Sequence, residues 1–309
     1  MIFEDLSFLD FVSLNNYKDY LGASCKNKSH NNRHNSNMML NPLNLKHLNR
    51  IDENEADYIT LNLEDGIAPS RKEEALVNIS IFLSHLKKSK NFIIVRTNPL
   101  DKGGAEEIKF LNDFGFDAIR LSKVETPQEI EGALKILSGD KELHISIESR
   151  KAFANIKSLR IDERVTTVNL GILDLLSSLG LPQSILKIGN PTIDYILSKL
   201  LIDSKTVGLH PVSFMYQNYK DITGFLKWCE YERDMGYDSK ACLGPAQVKI
   251  ANEVFGEDVE SYKRALHIKK IFEYNASLGI HGFMDDIYGF IDEPIYKDAL
   301  ITLNKSKYI

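Results

Sequence analysis

The sequence predicts an α/β fold: a TIM (β/α)8 barrel followed by a C-terminal helical arm or lid. Three observations predict it. Short apolar runs rich in branched residues recur along the chain, and helix-period segments alternate with them, as in βα units that build a parallel sheet. The runs number eight, the count that closes most economically into a barrel. The stretch after the first run, "NPLNLKHL", has no glycine, so the phosphate turn of an open doubly wound sheet is missing.

In chain order, residues 25–37, CKNKSHNNRHNSN, are polar and Asn-rich. His30 and His34 stand at i, i+4 there, but the composition reads as a loop rather than a zinc site. Residues 38–40 are the first strand and 44–54 its helix. Residues 58–63 form an apolar run that ends in Glu64 and Asp65, followed by a helix over 71–88. Strands at 92–96, 118–121, 143–147 and 165–170 alternate with helices at 105–114, 127–137 and 151–158. A helix over 192–202, a strand at 206–209, a helix over 224–235 and a strand at 241–243 complete the barrel. Helices over 245–255 and 258–278 follow. The closing "GIHGFMDDIYGFIDEPIYKDAL", broken by glycines and a proline, reads as a lid or subunit-contact arm. The division expected is therefore an N-terminal extension, partly flexible, over 1–36, the barrel over 37–256, and a helix and oligomerisation arm over 257–309.

A chain of 309 residues suits a single barrel with additions. The net charge of −5, from 43 acidic against 38 basic residues, argues against a nucleic-acid partner, whose footprint is basic. No apolar run approaches the roughly 18 residues that span a bilayer. The opening MIFEDLSFLDFVSL carries Glu4, Asp5 and Asp10 without a basic flank, unlike a signal peptide, so a cytoplasmic location and no membrane are expected. Cys25, Cys229 and Cys242 are odd in number and lack CxxC spacing, which suits structural thiols in a reducing compartment.

A β/α barrel carries its chemistry at the carboxyl ends of its strands. The polar residues just past the runs are Glu64 and Asp65, Arg96 and Asn98, Lys123 and Glu125, Glu148, and Asp174. Taken singly, a strand-end Asp or Glu is more often a helix cap, and Arg96 suits an ion pair with Glu64 or Asp65. Taken together they bring several carboxylates and a guanidinium to one rim. Two carboxylates from successive strand ends, with waters, hold a hard divalent cation such as Mg²⁺ and leave positions for substrate oxygens.

The motifs "NLEDGIAPSRKEEA", "VRTNPLDKGGAEEI", "GFDAIRLSKVETPQEI", "ISIESRKAFANI", "GILDLLSSLG", "GYDSKACLGPAQVKIANEVF" and "GFIDEPIYKDA" occur in that order. Together they resemble the citrate lyase beta-subunit and malyl-CoA lyase superfamily over about residues 37–300. The resemblance implies a TIM barrel with a C-terminal arm, a homotrimer, and Mg²⁺-dependent cleavage of a 3-hydroxyacyl thioester such as malyl-, citramalyl- or citryl-CoA, or its acyl carrier protein counterpart. A keto acid and an acyl thioester are released. It places the metal carboxylates on Glu148 and Asp174 and the substrate-binding arginine on Arg96. The acidic pair that orders that arginine and the metal waters falls on Glu64 and Asp65. The acid/base that reaches a neighbouring subunit's site falls on Asp292, and a glycine whose backbone approaches the keto-acid carboxylate falls on Gly104. The chain departs from the pattern at Ser36, where the family has arginine, at Leu43, Asn62 and Ser178, and at Gly244. Two alternatives stand beside this reading. One keeps fold and metal but takes a free 2-keto acid or a phosphoenolpyruvate-type substrate; the other is a non-catalytic subunit of a lyase complex.

Overall fold

In the computed structural model, which describes residues 1–23, 34–87, 89–256 and 258–304, the chain divides into two units, Met1–Phe255 and Gly256–Ile309. Cys25 and His30 lie outside the described residues. The first unit is built from β1 (Ser36–Leu40), α1 (Leu45–Leu48), β2 (Tyr58–Asn62), α2 (Lys72–His85), β3 (Phe92–Thr97), α3 (Gly104–Leu111), β4 (Ala118–Leu121), α4 (Pro127–Ile136) and β5 (Glu142–Ile147). It continues through α5 (Arg150–Ala154), β6 (Val165–Leu170), α6 (Ile172–Ser178), α7 (Pro191–Thr206), β7 (His210–Val212), α8 (Ile222–Met235), β8 (Lys240–Cys242) and α9 (Pro245–Val254).

All eight strands are parallel, in the order β7-β6-β5-β4-β3-β2-β1-β8. At the β7/β8 seam Ser213 bridges Lys240, with Ser213 N donating to Ser239 O at 3.1 Å and Ala241 N to Ser213 O at 3.2 Å, so the sheet is a nearly closed barrel. Alternation along each strand sends Ile59, Leu61, Ile93, Val95, Ile119, Leu121 and Ile145 outward into one buried cluster beneath the helices. Residues 1–23 pack on that layer: the Phe3 ring stands 5.2 Å from Phe82 and 4.7 Å from His85, and Tyr17 lies 5.3 Å from Phe110. This covers α2, whose side chains from Val77 to Ser84 are all buried.

Three elements differ from the sequence expectation. The seventh strand lies at His210–Val212, not 206–209, because the apolar Val207–Gly208–Leu209 stretch is the exit of α7. Gly208 adopts φ +75° and Leu209 N closes back onto Ser204 O at 2.9 Å, a helix-terminating geometry that only glycine enters freely. The loop after β6 contains α6, which its apolar "GILDLLSS" run concealed. The closing segment is a hairpin and a helix rather than irregular chain: β9 (Gly282–Asp285) pairs antiparallel with β10 (Gly289–Asp292), and α11 (Glu293–Asn304) follows. Pro294 sits in its first turn, where proline is accommodated. In this second unit, α10 (Val259–Ser277) packs on α11 through Ala265, Ile268, Phe272, Ala299 and Leu303.

Two buried polar groups mark the barrel wall and its amino end. Lys240 is fully buried and donates to Glu232 Oε1 at 2.7 Å, to Oε2 at 2.8 Å and to Phe214 O at 3.1 Å. Its ammonium also stands over the Phe214 ring at 4.0 Å, so the charge is paired on every side. Cys229 and Cys242 are buried free thiols, and burial pushes the Cys229 thiol up to about 12, which fits the structural reading. At the amino end the His210 ring lies 4.8 Å from His34 and 3.7 Å from Asp238 Oδ1; His34 Nδ1 also meets the Tyr58 hydroxyl.

Burial pulls His210 down to about 3 and lowers His34 as well. His210 is therefore neutral in the fold at pH values where free imidazole, with its ordinary pKa near ~6.5, takes a proton. Between about pH 6.5 and 3 the unfolded chain binds more protons at His210 than the native one, so stability falls as pH falls, by up to roughly 1.4 kcal/mol per pH unit from this histidine. Urea midpoints measured at pH 7 and pH 5 are expected to drop on acidification, and to drop less in His210→Gln. Equal drops in both proteins would remove His210 as the cause.

Candidate active site

The carboxyl rim is where the predicted polar residues converge. Arg96, at the end of β3, is buried, and its Nη2 bridges Glu64 Oε2 at 2.8 Å and Glu148 Oε1 at 2.9 Å. Nε donates to Ser122 Oγ at 3.1 Å, and Nη1 meets Asn62 Oδ1 at a long 3.5 Å. Both carboxylates are buried too. A guanidinium between two desolvated carboxylates is held in one place, because releasing it would strand both charges.

Asn62 shapes this cluster. Its Oδ1 receives Glu64 N at 3.3 Å and its Nδ2 donates to Asp65 O at 2.5 Å, so the amide folds the Glu64–Asp65 turn over itself. An aspartate at this position has no donor for the Asp65 carbonyl, which gives the departure at Asn62 a local reason. Asp65 itself points out and is exposed, reached by Lys123 at 3.3 Å. Lys123 also pairs with Glu64 Oε1 at 2.9 Å, a hydrogen bond that raises its pKa. Lys123 is the one described non-glycine residue with positive φ, +52°, a conformation that costs a long side chain about 1–2 kcal/mol and that the ion pairs offset. Strain of this sort gathers at functional sites.

Glu148, just past β5, has one oxygen on Arg96; the other, Oε2, is buried with no hydrogen-bond partner. Gly171 makes room for it: a Cβ there would strike the Glu148 Cγ and come within 2.9 Å of Oε1. Asp174 lies one strand over, in the first turn of α6, exposed to solvent, where the helix dipole favours an anion. An orphaned buried carboxylate oxygen past β5 and an exposed carboxylate past β6 are all-oxygen donors, the chemistry that suits Mg²⁺ with waters and substrate completing its shell. Among the described residues no cluster of three or more His, Cys, Asp or Glu is set to hold a metal by itself.

Other predicted residues take different places. Ser36 stands at the amino end of β1, fully buried, donating to Asn252 Oδ1 at 2.7 Å and accepting Asp57 N at 3.1 Å. The charge missing there is therefore at the opposite end of the strand from the rim. Ser178 Oγ accepts Arg150 N at 3.0 Å, tying the start of α5. A Cβ on Gly244 would meet nothing within 4 Å, leaving open space past β8. Gly104 opens α3 with its N–H on Pro99 O at 3.1 Å, and a Cβ there would collide with Asn98 O, so the loop's tightness requires glycine. Asp292 belongs to the second unit, where its Oδ1 accepts Ile295 N at 3.3 Å and so caps α11.

Sequence reasoning passed over Arg120, Ser122 and Ser146. Arg120 and Ser146 sit inside β4 and β5 rather than just after them, Ser122 is a small polar residue directly past β4, and only the inward phase of these strands, shared with Glu148, marks them.

A family model described as HpcH/HpaI aldolase/citrate lyase matches residues 37–245. A (3S)-malyl-CoA thioesterase of Cereibacter sphaeroides is 31% identical over 201 residues, covering 65% of this chain and 69% of the relative. The citrate lyase subunit beta of Haemophilus influenzae is 25% identical over 270 residues, 81% of this chain and 89% of its own. Among solved structures, a CitE protein of Mycobacterium tuberculosis in complex with magnesium, acetoacetate and coenzyme A aligns with a TM-score of 0.68 at 16% identity, covering 87% of this chain and 97% of that one. Among the described residues no helix is long and apolar enough to cross a membrane.

Proposed function

The chain belongs to the HpcH/HpaI aldolase/citrate lyase family and is an enzyme of the lyase kind, and we propose that it cleaves the carbon–carbon bond of a 3-hydroxyacyl thioester with Mg²⁺, releasing a keto acid and an acyl thioester. The observation that carries this is Glu148: one oxygen fixed on a buried arginine, the other buried, unpartnered and free to take a cation. Glu148 and Asp174 would hold Mg²⁺, which when bound supplies Lewis acidity toward the keto-acid oxygens.

The remaining chemistry falls to the chain's own groups. Cleavage passes the proton of the substrate's 3-hydroxyl to the carboxylate of Asp292, on the arm of a neighbouring chain in the proposed homotrimer, breaks the bond between C2 and C3, and moves that electron pair into the thioester as an enolate. Arg96 is fixed beforehand by Glu64, Glu148 and Ser122, and its Nη1, with only the 3.5 Å contact to Asn62, is the nitrogen available to the enolate oxygen. A donor that needs no reorganisation during the reaction is the efficient kind. Glu64 and Asp65, with Lys123 between them, keep the guanidinium and the waters around the metal in place. The enolate carbon then takes that proton from the neighbouring chain's Asp292, which returns to its carboxylate form. Gly104 keeps the loop after β3 tight.

Purified protein incubated with Mg²⁺ and malyl-CoA, citramalyl-CoA or citryl-CoA is expected to release the matching keto acid, and chelation with EDTA to stop it. Release of free CoA without a keto acid would assign a thioesterase instead. No product from any of the three would overturn the proposal.

A further inference from the structure

Beneath the rim, the barrel interior is polar where such interiors are commonly filled by branched apolar side chains: Asn37, Thr60, Arg120, Ser146, Thr167 and Asn169 are all buried. Arg120 is the one charge among these six. It is the register partner of Arg96 on the neighbouring strand, and its Nε donates to Ser146 Oγ at 2.9 Å. Its terminal nitrogens have no hydrogen-bond partner and no ion pair among the described residues. The carboxylates nearest in the site, Glu64 and Glu148, are already engaged by Arg96. One strand further, Asn169 is the register partner of Ser146, and its Nδ2 is buried and unpartnered. Burial and the like charge of Arg96 together bring Arg120 down to about 9.

Glu64 and Glu148 attract Arg120 only through space, so its terminal nitrogens and Asn169 Nδ2 are donors left unmatched, which an anion would relieve. The occupant's chemistry follows from the direction of the substrate. A thioester carries a long chain that must leave through the open rim, so the end lying deepest is the keto-acid half. A keto acid with one carboxylate spends it beside Glu148 and Asp174. A second carboxylate on that half is the complement of the unmatched nitrogens of Arg120.

We infer that Arg120, with Asn169, is a specificity-determining group that binds a second carboxylate on the keto-acid half, so that the released product is a 2-keto dicarboxylate of the oxaloacetate class rather than glyoxylate or pyruvate. The inference rests on the lyase reading for the word "released", but the binding preference stands on the geometry alone.

The test uses the full chain in Mg²⁺, as wild type, Arg120→Met and Arg120→Lys, each first shown to melt cooperatively. Calorimetric titration with oxaloacetate and with pyruvate is expected to give wild-type protein a clear preference for oxaloacetate. Arg120→Met should reduce the oxaloacetate-to-pyruvate affinity ratio by about 100-fold, the scale of a charge-assisted bidentate contact, and Arg120→Lys should restore part of it. The ratio of kcat/KM for citryl-CoA over citramalyl-CoA should fall in parallel, mainly through KM. A wild type indifferent to the second carboxylate, or a ratio unmoved by Arg120→Met, overturns the inference. Turnover of malyl- or citramalyl-CoA alongside such indifference leaves the lyase reading intact. An oxaloacetate preference that depends on Arg120, without turnover of any thioester, has the opposite meaning: the inference holds and the lyase reading fails.

Discussion

Replacing Glu148 by glutamine is expected to lower kcat/KM for thioester cleavage by about 1,000-fold or more, because Lewis-acid stabilisation is worth several kcal/mol. Glutamine keeps the shape and still offers Arg96 an acceptor, so the fold should survive with its melting temperature little changed. What it loses is the charge on the orphaned Oε2. Asp174→Asn is expected to behave alike, and for both the loss should shrink as Mg²⁺ is raised, because weakened binding rather than lost chemistry is the defect. Wild-type rates in both variants, unaffected by EDTA, would remove these two residues from the metal.

The second large effect concerns Asp292. Asp292→Ala alone is expected to cost about 100- to 10,000-fold, the usual range for a general acid or base, and Arg96→Ala should be at least as severe. If, as we propose, the protein is a homotrimer whose arms reach across to neighbouring sites, mixing the two inactive proteins after mild unfolding should restore activity. In a closed ring each site then needs an intact Arg96 on its own chain and an intact Asp292 on its neighbour, a coincidence met in about one quarter of sites. Recovery near that level supports a shared site. No recovery, with mixed oligomers confirmed by mass, would place Asp292's work within one chain or leave it with its capping bond to Ile295 alone.

The strands of the barrel were legible because their outward faces are runs of Ile, Leu and Val that only a sheet beneath helices can bury. The strand at His210–Val212 was not, since three residues with a central proline carry less signal than the apolar helix exit before them. The rim was legible residue by residue, because a carboxylate just past an apolar run has few structural reasons to be there. Its pairing was not: that Arg96 joins Glu64 to Glu148 depends on register across four strands. Arg120 was hidden for the same reason. In sequence it is a charge within a strand, and only three dimensions show that it faces inward with its terminal nitrogens unmatched. Ser36 shows the reverse case, a departure from the family's motif that lies at the far end of its strand from the rim.

The most direct test is a crystal structure of the wild-type protein grown with Mn²⁺ in place of Mg²⁺ and soaked with oxaloacetate. The anomalous signal should mark one metal bound by the carboxylates of Glu148 and Asp174, with the keto acid completing its shell and its second carboxylate on Arg120. A metal held by other side chains, or a keto acid bound at this rim without one, would contradict it.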